Sequence, residues 1–565
     1  MKNKKKLLIG KVVVILLLNI SIVGCTSILN SRQDRQLQVE IEDFTYSTYL
    51  GGDDSPYSED NIEEVIRDVT TDSQENIIIT GNTLSSNFPV KNAFQDTFAG
   101  GGNDVHCVGG DAIIAKFDKD GQLLWSTFLG GNSMDGGICV KVVESDEIIV
   151  MGMTKSNDFP TTDNAYQKNY SSNYDIFITK LTSNGSIIYS SYLGESGDDT
   201  INSFELDSSG NLVVSGRTTS VDFPVTTSAD QPVIGGGADG FFMCLSANYS
   251  TILYSTFLGG SDNEGINEIT IDTQGNIIVT GTTMSSDFPI TTDAYQSSIS
   301  STHSDNFIVK YNSSGQITYA TYFGGSLSDY SFGLTTDSVG NIIIAGKTLS
   351  ADFPTINAWK TNYSNSMVDA FVTKFSANGQ ELIFSSYFGG SGWDVVLNLK
   401  VDSNDNIIVT GYADIYPNAF PILDAFQEEI RGRCDIVIMK ISPTGQPLFG
   451  TYLGGEGLDH PWSHYLASNY LYIVGFTESV DFFTTSNAYQ QTIRGNHDGF
   501  LFRFDIDGYL TSLTSETMES DTTKSYTLTS ETTESETTPS FEPHIVLIGL
   551  LSALGIGLRI RVKKE

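Results

Sequence analysis

The stretch Phe44-Thr-Tyr-Ser-Thr-Tyr-Leu-Gly-Gly52 decides the fold, because it is a strand with no unit of its own. Its last six residues, STYLGG (47–52), return as STFLGG (126–131), SSYLGE (190–195), STFLGG (255–260), ATYFGG (320–325), SSYFGG (385–390) and GTYLGG (450–455). The first step is 79 residues and the later ones are 64, 65, 65, 65 and 65. A fixed period over most of a chain means repeated supersecondary units rather than one irregular domain.

Working outward from the phrase, residues 394–453 show what one unit contains. Asp394–Asp402 carries a β-branched and aliphatic run fit for a buried strand. Ser403–Asn406 is a turn, with Gly210, Gly275 and Gly340 in the equivalent turns of other copies. Ile407–Gly411, Asp435–Lys440 and Gln446–Leu453 supply three more strands. Four strands and no helical period is the content of one propeller blade. The long connection between the second and third strands repeats Phe-Pro at 88–89, 159–160, 223–224, 288–289, 353–354 and 420–421, with Phe482-Phe483 as the seventh. It also repeats Ala, an aromatic and Gln, as at 165–167 and 294–296. These marks read as packing devices, an aromatic plug with Pro fixing the turn.

The ends of the array settle the topology. The seventh unit reaches its third strand, Asp498–Arg503, and stops near Gly508 before any fourth. The orphan Phe44–Leu50 looks like a fourth strand. Placing it in the last blade leaves no unpaired edge. The expected fold is therefore all-β: a seven-bladed propeller of four-stranded blades, closed by the amino-terminal strand.

Four phrases carry a family resemblance. Asp-Thr-Gln-Gly-Asn-Ile-Ile-Val-Thr-Gly (272–281), Asp-Phe-Pro (287–289), Asp-Ala-Phe-Val-Thr-Lys (369–374) and Tyr-Ser-Thr-Phe-Leu-Gly-Gly (254–260) resemble the SBBP β-propeller repeat over about residues 44–508. The resemblance implies a propeller of secreted or surface prokaryotic proteins. It brings no general catalytic activity with it.

The chain of 565 residues has 68 acidic and 31 basic side chains, for a net charge of −37. Such a surface is repelled by phosphate backbones, which argues against nucleic-acid binding. The amino terminus is basic, then apolar from Val12, and ends in Ile22-Val23-Gly24-Cys25. This reads as an export signal whose end resembles a lipobox, making Cys25 the expected lipidation site. Residues 26–43 form a linker and 44–510 the propeller. Residues 511–543 are mostly Ser, Thr and Glu and read as a disordered stalk. Residues 544–565 hold an apolar stretch, Ile545–Leu558, closed by Arg559, Arg561, Lys563 and Lys564. Stalk, short apolar helix and basic tail resemble archaeal surface-protein anchors. The propeller is thus expected outside the cell, anchored to the membrane. Asn169, Asn184, Asn248, Asn312 and Asn362 sit in N-glycosylation sequons.

Aligning the units exposes a recurring acid: Glu64, Asp135, Asp199, Glu264, Asp329, Asp394 and Asp459. Each opens the strand expected to be innermost, so rotational symmetry places seven carboxylates around one mouth of the channel. They either stitch neighbouring blades or converge on a cation such as calcium, which prefers oxygen ligands. No other cofactor is implied. A basic position also repeats (Lys116, Lys180, Lys310, Lys374, Lys440, Arg503, with Cys244 as the exception) and reads as a ladder of ion pairs. The non-repeated features are an acidic loop after Gly52, a Gly-rich insertion with His106 and Cys107, and Asp459, His460 and His464 in the seventh unit. The last three are a weak metal motif. Trp393 and Trp462 are a candidate aromatic lip for a sugar. The cysteines form no paired motif and read as buried thiols.

These features point to a non-enzymatic cell-surface module that binds a protein or glycan. Two alternatives stay open. One is a polysaccharide lyase or glycosidase working through carboxylates at the channel mouth; the other is a structural surface-layer component.

Overall fold

In the computed structural model, residues 45–54, 62–102, 109–171, 173–300, 303–364, 368–414 and 420–520 are described. Cys25, His106, Cys107, Glu59, Asp60 and the apolar carboxy-terminal stretch lie outside them. The described residues form 28 strands, numbered β1 to β28 in chain order, arranged as seven four-stranded antiparallel sheets. The innermost strands are β2 (Glu64–Thr71), β6 (Asp135–Val142), β10 (Asp199–Leu206), β14 (Glu264–Ile271), β18 (Asp329–Thr336), β22 (Asp394–Val401) and β26 (Asp459–Ala467). Six blades are built from consecutive strands.

The seventh blade confirms the reading of the orphan. Its order is β26, β27 (Tyr470–Thr477), β28 (Asp498–Asp505) and then β1 (Thr45–Leu50), with Thr45 opposite Phe504 and Leu50 opposite Gly499. The Gly-Gly phrases end the outer strands and cross to the next blade.

The strand sequences explain the layering. Second strands such as Ile277–Thr283 have both faces covered and so read as continuous Ile-Ile-Val rather than alternating. The Phe of each Phe-Pro pair is buried, and in four blades it packs against a third-strand Phe, with ring centroids 4.6 Å apart for Phe159–Phe177 and for Phe288–Phe307. A fourth-strand Tyr locks the plug: Tyr192 Oη donates to Ser156 O at 2.7 Å and accepts from Phe159 N at 3.0 Å. The repeated bases pair with the acid of the first hairpin, at 2.7 Å for Lys116–Asp72, 2.9 Å for Lys310–Asp272 and 2.8 Å for Lys374–Asp337. Burial opposes these charges, yet the Lys and the turn Asn hold Asp72, Asp272 and Asp337 below the usual carboxylate range.

One irregularity recurs in all seven inner strands. Pairing with the second strand skips the fourth residue, a β-bulge at Arg67, Ile138, Asn202, Asn267, Phe332, Leu397 and Trp462. A bulge re-aims a side chain. The partner strand must then supply glycine: a Cβ on Gly281 would lie 2.0 Å from Gly265 O and 2.8 Å from the Phe307 ring. Gly281→Ala is expected to cost about 3 kcal/mol, as overpacking against backbone does. Urea denaturation checks this, and an unchanged midpoint would mean that the bulge can yield.

The chain reading has the array stopping near Gly508 and stalk from 511. Instead, β28 runs directly into α1 (Ile506–Ser520). Asp505 caps it, accepting from Gly508 N at 2.8 Å. Its first turns are held by Tyr509, which packs on Phe504, Phe449 and Phe426, and by Asp507 at 2.5 Å from Lys440. The Ser/Thr/Glu-rich stretch that begins at Thr511 gives no sign of the helix, whose start is fixed by the cap and the buried Tyr509.

Candidate ligand site in the central channel

The seven opening carboxylates are almost wholly enclosed, from 0% exposed in Glu64, Asp135, Asp199, Asp329 and Asp459 to 2% in Glu264. Asp135 accepts from Gly131 N and from Ser156 Oγ, both at 2.7 Å. Glu264 accepts from Gly260 N, Thr283 Oγ1 and Ser285 Oγ at 2.7, 2.7 and 2.6 Å. Gly390 N donates to Asp394 at 2.7 Å, and Gly455 N to Asp459 at 2.8 Å. In Asp135, Asp199, Glu264, Asp329 and Asp459 the amide comes from the loop leaving one blade and the hydroxyls from the next, so these acids tie a crossing to the blade it enters. None of the seven lines the channel cavity.

A second set of acids, among them Asp111, Asp239, Asp305 and Asp435, opens the third strands and is also 0% exposed. The first glycine of the phrase runs between the two sets: a Cβ on Gly130 would lie 2.8 Å from Asp135 Oδ2 and 2.9 Å from Asp111 Oδ1. Burial pushes Glu64 up to about 8 and Asp111, Asp135, Asp329, Asp394 and Asp459 up to about 7. Asp199 and Glu264 are raised for the same reason. Among the described residues, no three His, Cys, Asp or Glu side chains group in a way that could hold a metal ion.

The weak motif of the seventh unit is dispersed. Asp459 is held by Gly455 and Ser479. His460 stacks on Phe476 with centroids 5.5 Å apart, and His464 Nδ1 lies 2.6 Å from Thr410 Oγ1. Trp393 and Trp462 also do not share a loop. Trp462 sits at the bulge of β26 and turns into the channel, while Trp393 precedes β22 and lies 5.7 Å from Lys347 Nζ. Of the sequon residues, Asn169, Asn184, Asn248 and Asn362 are exposed and Asn312 is half-buried. Cys139, Cys244 and Cys434 are free thiols.

The channel itself is lined where repetition fails. All seven bulge residues face a central cavity of about 360 Å³. They are one cation, two amides, two aliphatics and two aromatics, a different set from the constant positions beside them. A charged layer lies beyond the bulges: Asp68, Lys141, Glu205, Glu268 and Lys400. Lys141 pairs with Glu205 at 2.9 Å. Asp68 accepts from Val140 N and Ser463 Oγ, both at 2.8 Å, and Glu268 from Ser203 Oγ at 2.6 Å. Burial pushes Glu268 up to about 7 against the pull of Lys400 and Lys141, and pushes His464 down to about 3 with help from Lys400. The sequence did carry a signal for this site. The offset three residues after each opening acid varies in charge and size, whereas the acid does not.

One end of the channel gathers aromatics from blades 5 to 7. Lys347 Nζ is 5.0 Å from the Tyr330 ring and 5.6 Å from Phe332. The Arg67 guanidinium lies 4.2 Å over Trp462, and Tyr412 meets His460 at 4.6 Å.

Residues 318–354 match the family model of the SBBP β-propeller repeat. A WD repeat-containing protein of Acanthamoeba polyphaga mimivirus is 24% identical over 365 residues, 61% of this chain and 24% of that protein. The regulatory protein FlaEY of Caulobacter vibrioides is 24% identical over 320 residues, 54% of this chain and 32% of that protein. The chain thus spans about a quarter to a third of the length of these curated relatives. Among solved structures, a virginiamycin B lyase from Staphylococcus aureus aligns with TM-score 0.37 at 9% identity, over 81% of this chain and 99% of that one. The WD40 propeller of Doa1 aligns with TM-score 0.27 at 10% identity, over 65% and 93%. Seven closed four-stranded blades give this chain a β-propeller fold, and one stretch of it is similar to the SBBP repeat.

Proposed function

We propose that the protein is a non-catalytic interaction module that presents one mouth of its central channel to a protein or glycan partner outside the cell. One observation carries this reading. The blades agree at the positions that build them and differ at the channel, where blades 5 to 7 concentrate Tyr330, Phe332, Trp393, Tyr412 and Trp462 beside Lys347 and Arg67. Aromatics beside cations form a surface suited to recognition. The topology supports the display. Thr45 and Asp505 sit at the ends of β1 and β28 away from that mouth. The lyase or glycosidase alternative relies on Asp394 and Asp459, which are 1% and 0% exposed and committed to loop amides.

The test is a glycan and protein array probed with the full-length chain and with a Tyr330→Ala/Trp393→Ala variant. Binding by the wild type should fall at least tenfold in the variant, with an unchanged melting temperature. Equal binding by both would remove the mouth as the recognition surface.

A further inference from the structure

The cavity beneath the mouth has unmet hydrogen-bonding capacity, and it is one-sided. Its carboxylates are satisfied: Asp68 by Val140 N and Ser463 Oγ, Glu205 by Lys141, Glu268 by Ser203 Oγ. Its buried side-chain atoms without a partner among the described residues include two nitrogens, Trp462 Nε1 and His464 Nε2. His464 is 2% exposed and its other nitrogen is engaged by Thr410, so the ring is fixed with Nε2 at the cavity wall. A buried donor left unpaired costs free energy of the same order as a hydrogen bond. The indole N–H can only donate, so it needs an acceptor oxygen. Nε2 accepts or donates according to tautomer, and a hydroxyl answers either need. Lys400 lines the same wall and adds positive charge.

The walls set the rest of the chemistry. Trp462 and Phe332 give aromatic surface in the bulge layer, and Asn398 lies in the next layer toward Lys400. About 360 Å³ is at the small end of ligand pockets and suits a sugar-sized molecule rather than a polymer.

We propose that this cavity binds the sugar-acid end of a glycan, a hexuronate-type carboxylate, with its hydroxyls meeting Trp462 Nε1 and His464 Nε2 and its carboxylate drawn to Lys400. The inference deepens the interaction reading above and rests on it. A neutral sugar would satisfy the indole and imidazole nitrogens but not the lysine. A simple carboxylate would satisfy the lysine alone.

The experiment is isothermal titration of the full-length chain with glucuronate, glucose and acetate, repeated on Lys400→Met and Trp462→Phe. Trp462→Phe keeps an aromatic side chain while removing the N–H together with the pyrrole ring, so it tests the site even where Lys400→Met disturbs folding. Glucuronate should bind at least tenfold tighter than glucose or acetate. Lys400→Met should lose at least tenfold, and Trp462→Phe about threefold to tenfold. Equal affinity for glucuronate and glucose, no affinity for either, or full affinity in both variants overturns the proposal. If the array signal still depends on Tyr330 and Trp393 in that event, the interaction reading stands and only the sugar-acid assignment falls.

Discussion

A chain that begins at Gly51 is expected to lose its cooperative fold. Removing β1 strips the fourth strand from the seventh blade and exposes the edge of β28 along its pairing from Gly499 to Phe504. All six residues of β1 are buried, with Tyr46, Ser47 and Thr48 at 0% exposure. The loss is more than one strand's worth. Tyr46 Oη reaches across to Gly121 O of the first blade at 2.9 Å, and Tyr49 Oη donates to Ser479 O of the seventh at 2.7 Å. The strand therefore closes a ring as well as a sheet, and an open ring presents a long unpaired edge that templates aggregation. The expected result is an insoluble or molten product, with solubility and near-ultraviolet dichroism as the readout. Tyr46→Phe, which removes the bond donated to Gly121 O and the one accepted from Tyr489 N, should cost only about 2 kcal/mol. A soluble, sharply melting chain from residue 51 would show that six blades and three strands suffice.

Stability should rise as pH falls from 8 to about 5.5. Buried acids whose folded pKa values are pushed up, Glu64 to about 8 and Asp111, Asp135, Asp329, Asp394 and Asp459 to about 7, bind protons more tightly in the folded state. Their contribution is full below the unfolded carboxylate pKa and is lost as pH rises through the folded values. Two histidines pull the other way. His460 and His464, pushed down to about 4 and 3 by burial, stabilise above the unfolded imidazole pKa and lose that contribution as pH falls. Asp72, Asp272 and Asp337, held low by their lysines, are lost only in stronger acid. The acids outnumber the histidines, and a net charge of −37 adds self-repulsion at high pH. A melting temperature higher by several degrees at pH 5.5 than at pH 8 is the expected result, and a flat or reversed profile would mean that these acids are solvated on folding. Asp394→Asn should flatten part of the slope without destroying the fold, since an amide oxygen still accepts from Gly390 N.

The parts of the fold legible in the sequence were those that every blade must repeat. Phe288 plugs its blade, Lys310 pairs with Asp272 and Gly259-Gly260 turns between acids as their counterparts do in most blades, so the copies reported one geometry. Residues used once left no such trace. Arg67, Asn267, Phe332 and Trp462 occupy one offset in different blades and look unrelated until the bulge turns them toward one axis. The start of α1 was equally hidden, since Tyr509 is a single aromatic at the edge of the Ser/Thr/Glu-rich stretch.

Repetition alone determined the number of blades, their four strands and the closing role of Phe44–Leu50, because period and strand count are properties of order along the chain. Only the tertiary structure decided where the acids and the site lie. Symmetry puts Asp394 and its six counterparts near the axis in projection. Whether they face solvent depends on which groups reach them, and the crossing amides and Ser/Thr hydroxyls reach them first. The same packing turns the bulged residue of each inner strand into the channel, above the charged layer that follows it. A constant scaffold thus carries a variable interior, and the choice between burial and display is made by neighbours that sequence order does not reveal.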